Sequence, residues 1–291
     1  MIRKSFLLLS VTLLIGCAPA GGGQGQGPGH RAQSLGLDPQ QELTVGREAY
    51  KEVLAKSQVV RGGPAVQRVR TVGERIAQAS QIAPLQREIN LRLKGYTFEW
   101  EFNVLQDQQV NAFCLPGGKV AVYTGLLPVA ENDAELATVM GHEIAHALAH
   151  HASERIARQQ KAEWVATVVG NGIGALSPKH RKELIGLLAA GAQVGSLSYD
   201  RQQESEADHI GLFLMTFAGY DPEQAVRFWE QMQHRSGQHG HVPEILSDHP
   251  SDAKRIAQMR AWVPQAKAGK KAYDQGRVAP AARADISSSA R

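Results

Sequence analysis

The pentapeptide His142-Glu143-Ile144-Ala145-His146 lies inside a long stretch that reads as helix, and it constrains this chain more than any other run. On a helix, side chains four apart stand nearly above one another, so His142 and His146 can aim two imidazoles at one point. Glu143, one step round, can stand beside whatever they hold. Two neutral imidazoles suit a zinc ion, and a nearby carboxylate suits a base acting on water at the metal. Chance alone yields the pattern in roughly one chain in a hundred of this length. A third ligand from elsewhere in the chain is therefore required.

The first residues are set aside as a leader. Arg3 and Lys4 precede an apolar run from Phe6 to Ile15, too short to span a bilayer as a mature helix. The run ends Leu14-Ile15-Gly16-Cys17, which resembles a bacterial lipobox; that resemblance implies cleavage before Cys17 and lipid on the cysteine. Ala18 is not the aspartate that typically retains lipoproteins at the inner membrane, so the expectation is an outer-membrane lipoprotein facing the periplasm. Loss of the leader brings the net charge from +4 to +2. Six bases oppose only Asp274 and Asp285 in the last 28 residues, so the rest of the mature chain is slightly acidic and offers nucleic acid no basic footprint. Cys17 and Cys114 are the two cysteines. With Cys17 acylated a disulfide framework is excluded, and stability must come from the core.

Four segments are expected: a signal peptide over 1–16, the acylated cysteine and a flexible Gly-rich tether over 17–37, one domain over 38–262, and a disordered basic tail over 263–291. Asp38-Pro39 starts a helix to about residue 57, and a second runs from Pro64 to Ala79. Between Tyr96 and Val104 the period changes to strict alternation, a half-buried strand. A turn through Asn111 to Gly118 leads into a second strand, Lys119 to Thr124. Asn132 with Glu135 resembles a capping box for the histidine helix, expected to run to about residue 161. Residues 164–197 are apolar and glycine-punctuated. They read as two short helices over the site, a lid, in preference to a membrane hairpin. Helices follow over 199–217 and 221–234, and after a loop from Asp248 to about Trp262. The fold class is α+β, mostly helical, with a small β-sheet beside the histidine helix.

A continuation His-Glu-x-x-His-x-x-Gly-x-x-His is ruled out, because Ala149 and Ala152 hold the required glycine and histidine positions. The alternative is an acid from a later helix. Glu204 and Asp208 lie four apart on one face; Glu204 as ligand, with Asp208 behind it bonding a ligand imidazole, makes a sensible site. Alone, such a pair is usually a solvated face.

At this point the chain resembles the M48 zinc metallopeptidases, in particular a bacterial periplasmic lipoprotein branch related to the Oma1 protease. The resemblance is carried by Asn111-Ala112-Phe113 with Pro116-Gly117-Gly118, by the His142–His146 motif, by Glu204-Ser205-Glu206-Ala207-Asp208, and by His249-Pro250 with Arg255. It covers residues 38 to 262 and implies a zincin-like domain with one zinc ion per chain. By that resemblance His142, His146 and Glu204 ligate the metal, Glu143 is the general base and Asp208 supports a ligand. His249 either caps the metal in a latent state or, with Arg255, stabilises the reacting oxygen. The strand residues Val120, Ala121 and Val122 are a candidate edge for pairing with an extended substrate. His150 is assigned a structural or surface role, and nothing is assigned to His239 or His241.

The expected function is a zinc endopeptidase for misfolded or misassembled envelope proteins, a quality-control role, bound to the membrane through its lipid. The competing expectation is an assembly factor or chaperone with a mostly latent zinc site. A hydrolase of cell-wall peptide links fits the metal chemistry but has no support in the sequence.

Overall fold

The computed structural model describes residues 31–91, 93–158, 199–238, 244–249 and 253–277, with isolated positions between 182 and 188. The leader, Cys17, His239 and His241 lie outside the described residues, as does nearly all of 164–197.

Helix α1 (Pro39–Lys56) begins where the sequence predicts: the Asp38 carboxylate accepts from the Gln41 N–H, and the Gln41 side chain accepts from Asp38 N–H. A short strand β1 (Val59–Val60) and helices α2 (Pro64–Ala79) and α3 (Ala83–Glu88) follow. The alternation over 96–104 is kept in the burial, but only β2 (Glu101–Leu105) joins the ladder. Strands β3 (Ala112–Leu115) and β4 (Lys119–Tyr123) form a hairpin whose turn places Gly117 and Gly118 at φ +77 and +85. Only glycine adopts that backbone without strain.

The sheet order is β1-β2-β4-β3, with β4 parallel to β2 and antiparallel to β3. This corrects one expectation. Val120, Ala121 and Val122 sit in a central strand whose backbone is paired on both sides, so β4 offers no edge to a substrate. Its apolar run reflects burial on both faces. Val120 and Val122 join the core beneath α2 and the histidine helix, while Ala121 and Tyr123 pack with Tyr50 and Val53 of α1.

The histidine helix α4 (Asp133–Leu148) is capped by Asn132, whose Oδ1 accepts from Ala134 and Glu135 N–H. Glu135 reaches the Glu131 N–H instead of closing a box on Asn132. The helix stops at Leu148, short of the expected end. His150 adopts φ +57, and a separate helical stretch covers 151–158. The left-handed turn costs a non-glycine residue roughly 1–2 kcal/mol. It is held by a 2.9 Å contact from His150 Nδ1 to Glu42 Oε2 and by stacking on Tyr96, with centroids 3.7 Å apart.

Helix α5 (Arg201–Phe217) crosses α4 through two glycines. A Cβ on Gly211 would lie 2.8 Å from His142 N, and one on Gly141 would lie 3.0 Å from Gly211 O. Helices α6 (Glu223–Gln238), α7 (Glu244–Asp248) and α8 (Ala253–Asp274) complete the described fold.

Two terminal segments differ from expectation. Residues 31–37, expected as flexible tether, are bound down: Leu37 is buried, Gly36 N–H donates to Ser153 O at 3.0 Å, and Gln33 Nε2 donates to Ala149 O at 2.8 Å. Helix α8 runs twelve residues past Trp262, through Pro264, into what was expected to be a disordered tail. Val263 and Ala266 are buried there, and Lys267 pairs with Glu223 at 2.6 Å. Tertiary packing offsets the helix-breaking proline. Among the described residues no helix is long and apolar enough to cross a membrane.

Candidate metal centre

Four side chains from three places in the chain converge. His142 and His146 come from α4, Glu204 from the first turn of α5, and His249 from the residue after α7; all four are buried. One ligand atom from each lies within 4.8 Å of all the others. His142 Nε2 is 3.1 Å from His146 Nε2 and 3.4 Å from Glu204 Oε2, and His146 Nε2 is 3.4 Å from Glu204 Oε1. His249 Nδ1 is 3.1 Å from His142 Nε2 and 2.8 Å from Glu204 Oε1.

These residues fit a metal ion. Zinc–nitrogen bonds of about 2.0–2.1 Å in a tetrahedron separate ligand atoms by about 3.3 Å, close to the spacings here. Glu204 Oε2 is buried without a hydrogen-bond partner among the described residues, with Arg255 Nη1 in ion-pair contact 3.4 Å away, and a buried carboxylate oxygen so placed suits a bound cation. The outer ring nitrogens are also held. Asp208 Oδ1 lies 2.9 Å from His142 Nδ1, and His151 Nδ1 lies 2.8 Å from His146 Nδ1. Protons on the two Nδ1 atoms leave both Nε2 lone pairs facing the centre.

The electrostatics agree for two of the three α4 and α5 groups. Burial would raise Glu204, but His249 and His142 beside it hold its carboxyl well below the ordinary value. Burial drives His146 well below its ordinary value, to the neutral form a ligand needs. His142 is raised, because Glu204 and Asp208 outweigh the effect of burial. A cation entering the centre displaces that proton.

Glu143 is buried next to the cluster, with Oε1 3.3 Å from His249 Nε2. Arg255 donates through Nε and Nη2 to Asp208, with Nη2–Oδ1 at 2.7 Å, and through Nη1 to the His249 carbonyl at 3.0 Å, and the same Nη1 lies 3.4 Å from Glu204 Oε2. Its guanidinium lies over Trp229, 4.1 Å from the ring centroid. Those contacts make it a clamp behind His142 and on the His249 backbone.

Several site residues escaped the sequence reading. His151, Glu206 and Glu154, all buried, and the partly buried Arg31 form a chain leading away from His146, and Tyr199 stacks on His146 with centroids 3.9 Å apart. The one signal was the second histidine of the His150-His151 pair, whose direction depends on the helix break. His150 itself points away from the centre to Glu42.

The sequence model of peptidase family M48 matches residues 67–263, more than half of the chain. The chain belongs to peptidase family M48. This M48 chain is 34% identical over 239 residues to the mitochondrial metalloendopeptidase OMA1 of Schizosaccharomyces pombe, covering 80% of this chain and 64% of that protein. It is 30% identical over 164 residues to the beta-barrel assembly-enhancing protease of Escherichia coli, covering 55% of this chain and 34% of that one. With the protein of the same name from Yersinia pestis it shares 27% identity over 268 residues, 89% of this chain and 53% of the relative. The chain thus spans less than two thirds of the length of each of these relatives. The M48 match takes in His142, Glu143, His146, Glu204, Asp208, His249 and Arg255 and leaves out the segment ahead of residue 67.

Proposed function

We propose that this M48 chain is a zinc-dependent endopeptidase that hydrolyses peptide bonds in misfolded or misassembled cell-envelope proteins. One observation carries the reading: two imidazoles and a carboxylate converge at ligand spacing, with the Glu143 carboxylate buried beside them. Zinc, when bound, supplies Lewis acidity that polarises a carbonyl and acidifies water. Glu143 takes a proton from the attacking water and hands it to the leaving amide nitrogen. Asp208 and Arg255 keep His142 oriented. The outer strand β3, not β4, is the edge for an extended substrate, and main-chain pairing there favours unfolded segments over particular side chains.

The envelope role is supported by the lipobox-like Leu14-Ile15-Gly16-Cys17 and by similarity to a bacterial assembly-enhancing protease. In this reading Cys17 anchors the protein in the outer membrane, facing the periplasm.

A second reading, an assembly factor or chaperone with a mostly latent centre, is favoured by the place of His249. Its Nδ1 stands among the ligand atoms and its Nε2 faces Glu143, where attacking water would have to sit. Cleavage of an unfolded protein such as casein separates the readings. Loss in Glu143→Gln with gain in His249→Ala supports a gated protease. Equal cleavage by wild type and Glu143→Gln overturns the catalytic assignment. Full complementation of a deletion strain by Glu143→Gln replaces the protease reading with the chaperone.

A further inference from the structure

Behind His146 a line of buried polar groups runs to the segment ahead of α1. His146 Nδ1 meets His151 Nδ1 at 2.8 Å, and His151 Nε2 meets Glu206 Oε2 at 3.1 Å. Arg31 then bridges two carboxylates: Nη2 donates to Glu206 Oε2 at 2.9 Å and to Glu154 Oε2 at 2.7 Å, with Nε and Nη1 on the companion oxygens. Gln203, itself fully buried, donates to Glu154 Oε2 at 3.0 Å. Residues five apart on one continuous helix face different directions, so His151 reaches His146 only because the chain breaks at His150. A strained backbone thus serves this contact.

The proton order along the line follows from the chemistry of its ends. If His146 presents Nε2 to a metal, its proton is on Nδ1 and His151 Nδ1 accepts it. His151 must then carry its own proton on Nε2, which Glu206 Oε2 accepts. Arg31 ties Glu206 to Glu154 by donating to both carboxylates. We infer that Arg31, Glu206 and His151 are positioning residues for the metal ligand His146, so that the segment ahead of α1 completes the metal centre. This rests on the reading of that centre as a zinc site. It assigns a role to a residue 36 positions outside the family match, which begins at residue 67.

The simpler account is that Arg31 only pins the N-terminal segment to the domain. Leu37 distinguishes the two, since it is buried in the same segment as part of the apolar cluster with Tyr50 and Ile156. Full-length apoprotein is titrated with Zn2+ against a chromophoric chelator, Co2+ absorption reports ligand geometry, and the melting temperature of the apoprotein reports the fold. Arg31→Ala, Glu206→Gln and His151→Phe are each expected to weaken Zn2+ binding by about 10–100-fold and to alter the Co2+ spectrum. Arg31→Ala added to Glu206→Gln is expected to cost less than about threefold more, because the first acts through the second. Leu37→Ala is expected to lower the apoprotein melting temperature with Zn2+ affinity unchanged. Wild-type affinity in Arg31→Ala, or an equal loss in Leu37→Ala, overturns the inference while the zinc site stands. Failure of the wild-type protein to take up Zn2+ overturns the site and the inference together.

Discussion

At the scale of single residues, the site divides its work between groups that face the centre and groups that hold them. Glu143 faces it: its carboxylate is buried within reach of His249 but is not among the clustered ligand atoms. Glu143→Gln keeps the shape and removes the proposed base, so casein cleavage is expected to fall by about 10²–10⁴-fold with Zn2+ still bound at one ion per chain. Loss of Zn2+ from this variant, measured by metal analysis, would show that Glu143 is a ligand and not a base. Asp208 and Arg255 hold: one carboxylate is shared between His142 Nδ1 and a guanidinium sandwiched on Trp229. The spacing of Glu204 and Asp208 pointed to this arrangement, because residues four apart on a helix share a face. The direction of Arg255 was not legible, since it depends on how α8 lies against α6.

At the scale of elements, the decisive contact is the crossing of α4 and α5. Glu204 reaches the histidines only because Gly141 and Gly211 let the two backbones approach. Gly211→Val puts atoms where His142 N and Gly141 already stand. The expected cost is about 1–3 kcal/mol of stability, read as a lower apoprotein melting temperature, together with weakened Zn2+ binding. A variant that melts and binds as wild type would mean the helices can separate without disturbing the ligands. Elements with strong local signals were readable in advance: α1 from Asp38-Pro39 at its start, α2 from its periodicity, β4 from its apolar run. The break at His150 and the extension of α8 through Pro264 were not. Both contradict local preference, and both are held by residues distant in sequence, Glu42 and Tyr96 in one case and α5 and α6 in the other.

At the scale of the whole molecule, metal and fold are linked, since the four clustered side chains tie α4, α5 and the segment after α7 to one point. Removing zinc with a chelator is expected to lower the melting temperature. Saturation at 100 times the dissociation constant contributes about 2.7 kcal/mol to the bound form. An unchanged melting temperature on full removal would argue against zinc binding to the folded protein at this centre. The proposed anchor is a separate matter, resting on the lipobox-like Leu14-Ile15-Gly16-Cys17 alone. Cys17→Ala is expected to move the protein from the outer-membrane fraction to the soluble periplasmic one, and its retention in the membrane would count against lipidation.

Whatever the 3.6-residue period or a short motif can encode was legible in the residues alone: the paired imidazoles, Glu143 beside them, the acidic face of Glu204 and Asp208, and the helices and strands with their own start and stop residues. What those groups meet came from the packing of the elements on one another. It made β4 a central strand, turned Arg255 into a clamp, set His249 among the ligands and ran Arg31 back to the centre through His151. The physical reason is distance along the chain. Local spacing fixes which side chains share a face of one element, whereas the partners of a buried charge are chosen by packing between elements that the sequence alone leaves unordered.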